Sequence, residues 1–299
     1  MGPVQTGGSA MTAYRVPRDA GAPAVTGPVP SGTVAFVLQG GGSLCAAQVG
    51  MLRALTRAGI RPDLVVGSSA GALNGVAFAA DPSIEGIDRL EALWLGLRRR
   101  HVAPISLRTL VRAVAGRGEA AVSSTPLRQM LRAVIGVGRL EETVVPVHAV
   151  ATDFETGAPV VLSRGDAVSA LLASAAFPGL YAPVRLGERR LIDGGVSADV
   201  PVLQAESLGA TTIYVLPAAV TRQAGHGPGA LCVAFRALEQ ILVERERRDL
   251  AAVRGSVLRL PAATTRVASV IDFRDTPRLI EAGCRLTEGW LTRQPAAAA

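Results

Sequence analysis

The sequence predicts an α/β fold built on a mainly parallel sheet. Two stretches carry that reading: "TVAFVLQGGG" and "PDLVVGSSAG" each run from an apolar strand into a glycine turn and on into a helical pattern. Strand, turn and helix twice within about fifty residues is the repeat of a parallel sheet covered by helices.

In order, Thr33–Leu38 is a continuous apolar and β-branched run that ends at glycine, as in a strand buried on both faces. A helix is predicted over Leu44–Ala58, with Val49, Leu52 and Leu55 at helical spacing and Gly59 as its stop. A strand over Leu64–Val66 and an Ala-rich helix to Ala80 repeat the design. From Ile84 to Ile135 the pattern is helical but broken by Pro104, Gly116, Gly118 and Pro126, and reads as helices and loops covering the sheet's edge. Strands are predicted at Pro146–Asp153 and Ala158–Ser163, joined as a hairpin through "FETG". A helix over Asp166–Ala175, a strand in "RRLIDGG" and a buried strand over Thr211–Leu216 follow. Helical spacing returns from Ala230, and a final helix is predicted over Pro277–Arg293.

With 299 residues, 49% of them hydrophobic, the chain can bury the core of one large domain. The expected organisation is a disordered leader at 1–30, a globular domain at 31–262, a C-terminal helical extension at 263–294 and a disordered tail at 295–299. Neither a signal peptide nor a run of eighteen apolar residues is visible, so a cytoplasmic, non-spanning protein is expected.

Composition removes several chemistries. All 31 basic residues are arginine, which excludes the phosphate-loop lysine, Schiff-base catalysis and a Ser/Lys dyad. Cys45, Cys232 and Cys284 form no CxxC and have no nearby histidine, which argues against disulfides and zinc. The net charge of +7 suits an anionic partner, but aromatics at 4% leave no stacking platform, so nucleic acid is not expected. A solvated helix face accounts for most of the arginines from Leu97 to Arg139, with a lipid-binding surface as the alternative.

Gly67, Ser68, Ser69, Ala70 and Gly71 form GxSxG directly between a predicted strand and a predicted helix. In that context small neighbours permit the strained turn that exposes a nucleophile, which makes Ser69 and not Ser68 the candidate. The first glycine turn, Gly40, Gly41 and Gly42, can lie beside it and offer backbone N–H groups to an oxyanion. It is not GxGxxG and no ribose-binding acid ends the second strand, which weighs against a dinucleotide site. Asp193, ending a strand at two glycines, is the best-placed acid; its alternative role is an Asp-Gly turn. Of the histidines, His148 reads as a core residue and His101 as exposed, while His226 leaves a Ser69/Asp193/His226 triad open.

Five motifs in order, "LQGGGSLCAAQVGML", "VVGSSAGALNG", "ATDFETGAPVVL", "ALLASAAFPGLYAPV" and "RRLIDGGVSADVPV", make residues 33–260 resemble the bacterial branch of the patatin-like phospholipases. The resemblance implies a three-layer sandwich with a nucleophile elbow, a Ser69/Asp193 dyad without histidine, and an oxyanion hole at Gly40–Gly42, chiefly Gly41 and Gly42. It implies no metal cofactor and a phospholipid or other acyl-ester substrate, and peripheral contact between the arginine surface and an anionic membrane. Two positions depart from the family's GGGxRG: Leu44 stands where Arg or Lys is frequent and Cys45 where glycine is usual. The Cys45 side chain is expected either as a small buried hydrophobe or as a thiol of lowered pKa near a helix N-terminus. The altered loop keeps a second class of function open, a non-hydrolytic lipid-binding protein on the same fold.

Overall fold

The computed structural model describes residues 32–102, 122–221, 230–266 and 269–293, with only the backbone of 230–239. The expected leader, the tail, the His226 loop and the side chain of Cys232 lie outside the described residues.

Strand β1 (Val34–Leu38) is buried along its whole length, as five consecutive apolar residues require. A 3-10 turn at Gly42–Cys45 leads into α1 (Ala46–Arg57), and β2 (Leu64–Ser68) leads into α2 (Ala70–Ala80). Helices α3 (Ile84–Gly96), α4 (Arg99–Val102) and α5 (Thr125–Val134) follow. Ser83 starts α3 by accepting the Gly86 N–H on its hydroxyl at 3.0 Å. Then come β3 (Val147–Asp153), β4 (Pro159–Leu162), α6 (Ala167–Ser174), β5 (Val184–Leu186) and β6 (Arg189–Asp193). The chain continues through α7 (Gly195–Ala198), α8 (Val202–Ser207), β7 (Thr212–Leu216) and β8 (Val220–Thr221). It closes with α9 (Ala230–Ala252), β9 (Ser256–Arg259), β10 (Thr264–Thr265) and α10 (Thr276–Leu291).

Strands β3, β2, β1, β7 and β9 lie side by side and run parallel. β4 and β6 both join β3 antiparallel, and β5 extends β6, giving a mixed but mostly parallel sheet. The register contains the feature that matters for function. Residues 149–152 of β3 pair with β4 along one edge. The opposite edge is shared: β2 holds it up to Ser68, opposite Val150, and β6 holds it from Asp193, opposite Ala151. Because β2 is parallel to β3 and β6 antiparallel, the two strands meet C-terminus to C-terminus. Two residues 124 apart in sequence, Ser69 and Asp193, are thereby delivered to one point.

The side chains of β1 sort by the two-residue period of a strand. Phe36 and Leu38 enter a core shared with α1, α2 and α10, whereas Ala35 and Val37 enter a second core under α8. The result is three layers, helices on both faces of the sheet. Leu90 and Trp94 of α3 and Leu131 of α5 belong to the first core, so the described parts of the segment expected at the sheet's edge, 84–102 and 122–135, thicken a helical layer, while 103–121, with Pro104, Gly116 and Gly118, lies outside the described residues. Helix α10 crosses α1 at glycines. A Cβ on Gly50 would collide with the Ile280 carbonyl and one on Gly283 with the Ala47 carbonyl, so only glycine lets these backbones approach.

Candidate active site

Ser69 stands between β2 and α2 with φ 53° and ψ −124°, the one non-glycine residue with positive φ among those described. Such a conformation costs on the order of 1–3 kcal/mol and persists only where its surroundings enforce it. Those surroundings are visible. The Ser69 N–H donates to Ser174 Oγ at 2.9 Å, and that hydroxyl donates to the Val150 carbonyl at 2.6 Å. A Cβ on Gly67 would lie 2.6 Å from the Gly71 carbonyl oxygen, and one on Gly71 would strike the Leu38 and Gln39 carbonyls, which explains both glycines of GxSxG. Ser68 is fully buried and its hydroxyl has no hydrogen-bond partner among the described residues.

Ser69 Oγ donates to Asp193 Oδ2 at 2.7 Å. The carboxylate is 3% exposed, and its Oδ1 accepts the Gly195 N–H at 2.8 Å. Its backbone is fixed as well: the Asp193 N–H donates to the Ala176 carbonyl, and Thr152 Oγ1 donates to the Asp193 carbonyl. Burial pushes the acid up to about 7 from 3.8; the bonds from Ser69 and Gly195 oppose that, and the charge of Asp199 adds to it. A hydroxyl hydrogen-bonded to an acid poised near neutrality can be deprotonated as it attacks.

The glycine loop borders this pair, since a Cβ on Gly40 would lie 3.5 Å from Ser69 Cβ. Its three members are not equivalent. The Gly40 N–H donates to the Asp199 carbonyl at 3.0 Å and is consumed there, so Gly40 must be withdrawn as a donor to an oxyanion. Gly41 and Gly42, at φ 145° and 58°, make no backbone hydrogen bond as donors to described residues. The loop rests on a buried polar chain that sequence reasoning missed. Trp94 Nε1 donates to Asn74 Oδ1, Asn74 Nδ2 to Gln48 Oε1, and Gln48 Nε2 to the Gln39 carbonyl, at 2.7 to 2.9 Å. Gln39 Nε2 in turn donates to Asp199 Oδ2 at 2.9 Å. Polar residues at intervals inside apolar helices, Gln48 in α1 and Asn74 in α2, were the available signal.

Cys45 is fully buried in αR geometry, with its thiol 3.3 Å from the Gln39 carbonyl. Burial raises its pKa well above 9.0, with the charges of Asp199 and Asp193 acting in the same direction. Of the two expected roles the small buried residue holds and the thiol of lowered pKa is corrected: desolvation and two acids outweigh the helix N-terminus. His148 is buried on β3 with Nδ1 2.8 Å from Ser163 Oγ, and burial lowers it to about 4. His101 is half-buried, its ring facing Arg100. Among the described residues no group of three or more His, Cys, Asp or Glu is arranged to hold a metal, and no helix is long and apolar enough to cross a membrane.

Residues 36–206 match the model of the patatin-like phospholipases. The chain is 26% identical over 287 residues to an uncharacterized NTE family protein of Mycobacterium tuberculosis, covering 88% of this chain and 47% of that protein. It therefore spans about half the length of that relative. Patatin-like phospholipase domain-containing protein 7 of Mus musculus is 27% identical over 186 residues, 61% of this chain and 13% of its own. Among solved structures, VipD from Legionella pneumophila superposes with a TM-score of 0.50 at 15% identity, over 89% of this chain and 67% of that one. At that identity the likeness is one of fold.

Proposed function

Because the chain belongs to the patatin-like phospholipase family, we propose that it is a serine acyl hydrolase that cleaves lipid esters through a Ser69/Asp193 dyad. The observation that carries this reading is the 2.7 Å hydrogen bond from Ser69 Oγ to a buried carboxylate that lies at the end of the facing strand.

In the proposed cycle Ser69 Oγ attacks the ester carbonyl carbon and its proton passes to Asp193 Oδ2. The charge that develops on the carbonyl oxygen is met by the Gly41 and Gly42 N–H groups and by the positive end of α2. Collapse breaks the ester C–O bond, the leaving alcohol takes the proton from Asp193, and the acyl group stays on Ser69. Water then gives a proton to Asp193 and its oxygen to the acyl carbon; the fatty acid departs and the proton returns to Ser69. Residues 31–262 carry this chemistry.

A phosphate-bearing lipid is the substrate class we favour. A cleft of about 650 Å³ is lined by Leu95, Arg98, Arg99, Ile271, Asp272, Phe273 and Arg274, which combine apolar walls with arginines, Arg274 being paired with Asp272. It adjoins the glycine loop through Val270, whose carbonyl accepts the Ser43 N–H at 2.7 Å. An enzyme of this kind meets its substrate peripherally at an anionic membrane surface inside the cell.

The test is a hydrolysis assay of wild type beside Ser69→Ala and Asp193→Asn, against a panel of phospholipids, lysophospholipids and nitrophenyl esters. Both variants are expected to be inactive. Wild type that releases no fatty acid and takes up no fluorophosphonate at Ser69, while binding liposomes, would establish the non-hydrolytic reading instead.

A further inference from the structure

Six residues beyond Asp193, the chain places a second, half-buried acid at the same place. Asp199 follows α7, and its Oδ1 lies 3.1 Å from the point a Gly195 Cβ would occupy, while Asp193 Oδ1 lies 3.0 Å from that point. Two carboxylates thus converge on one glycine. A Cβ on Gly40 would collide with Asp199 Oδ1, so the same acid lies directly against the glycine loop. Its other bonds also go to that loop, from Gln39 Nε2 to Oδ2 at 2.9 Å and from the Gly40 N–H to its carbonyl at 3.0 Å. Gln39 is held at its far end too, where Oε1 accepts the Ala218 N–H at 3.1 Å.

Building on the dyad reading, we propose that Asp199 is a positioning residue: it fixes the glycine loop through Gln39 and Gly40, and its charge adds a smaller bias to the protonation of Asp193 on top of burial. Two carboxylates at close range, one buried and one half-buried, cannot both ionise without mutual repulsion, and their protons leave as those of a pair. The groups facing Asp199 are Asp193 from β6, Glu246 from α9, Arg259 from β9 and the Cys45 thiol ahead of α1. Glu246 and Arg259 are ion-paired with each other, so Arg259 does not offer Asp199 an undivided countercharge, and Glu246 repels it. Burial holds Asp199 up to about 6, against the bond from Gln39, which leaves the second acid titrating just below the first.

Asp199→Asn tests this. The amide keeps an acceptor for Gln39 and removes the charge. In a carboxyl carbon NMR titration the Asp193 midpoint should fall by about half a pH unit relative to wild type, because one like charge is gone. The acid limb of kcat/KM should move down with it. Asp199→Ala also removes the acceptor for Gln39 and should lower kcat about tenfold further, with KM within about twofold, since the loop loses its anchor. Glu246→Gln, outside the site, provides a second route. It should lower the Asp199 midpoint and raise that of Asp193, opposite movements that only a coupled pair gives. An Asp193 midpoint unmoved in Asp199→Asn, or midpoints that fail to separate in Glu246→Gln, would overturn the assignment. Coupled titration in a wild type that hydrolyses no ester would sink the hydrolase reading and leave this one standing.

Discussion

Replacing the buried base should make the protein inactive and more stable at once. Asp193 is held up to about 7 in the folded chain, against 3.8 for the free side chain, chiefly by burial. Below pH 3.8 the acid is protonated in both states and the shift has no effect. Between 3.8 and 7 the unfolded chain releases its proton while the folded chain keeps it, so stability declines as pH rises; above 7 both are ionised and the loss is complete. A shift of about three units, at about 1.4 kcal/mol each, amounts to roughly 4 kcal/mol. Asp193→Asn keeps the shape and an acceptor for the Gly195 N–H but does not titrate. The difference in unfolding free energy between Asp193→Asn and wild type should therefore grow by roughly 4 kcal/mol from pH 4 to pH 8. Urea denaturation at four or five pH values measures it, and Asp199, present in both proteins, largely cancels. A difference constant to within about 1 kcal/mol across that range would refute the argument that desolvation sets the state of this acid.

Ser69→Ala should lower ester hydrolysis by a factor on the order of 10³ or more and abolish fluorophosphonate labelling, whereas His226→Ala should leave turnover largely intact; a matching loss in His226→Ala would replace the dyad by a triad. Ser174→Ala leaves the Ser69 N–H without its acceptor, and should cost about 1–2 kcal/mol of stability in urea and about tenfold in kcat. In native protein at pH 8, Cys45 should resist iodoacetamide and become alkylated only in denaturant, as peptide mass mapping would show. Gly50→Ala drives a methyl into the Ile280 carbonyl and should destabilise by about 1–3 kcal/mol without changing KM, read from denaturation and ester kinetics.

The parts of the fold that announce themselves in sequence are those whose burial is complete. β1, β2, β3 and β7 are buried along all or nearly all of their length between glycines and turns, and the observed bounds fall within two residues of the expected ones. β9, "SVLR", escaped notice because its residues are only half-buried or exposed and it sits at the sheet's edge. α7 and α8 are too short to display a helical period. Ser69 and Asp193 were both legible as strand-end residues beside glycines. Their contact was implied by the family resemblance alone, because it depends on β6 running antiparallel onto β3, a register that no local pattern encodes. No local pattern singles out Asp199. What makes it significant is the Gln39 amide 160 positions away.

The meeting of β2 and β6 on one edge of β3 turns β3 into a ruler. Ser68 is set opposite Val150 and Asp193 opposite Ala151, so the gap between serine and acid is counted in residues of a third strand. A strand advances about 3.3 Å per residue and reverses its faces at each step, so a single inserted or deleted residue in 64–68, 147–153 or 189–193 would part the two groups or turn one away. Length changes in the β3–β4 turn at 154–158, or in the β5–β6 turn at 187–188, leave the count untouched. The chain can therefore lengthen or shorten around its site far more freely than within these three short strands.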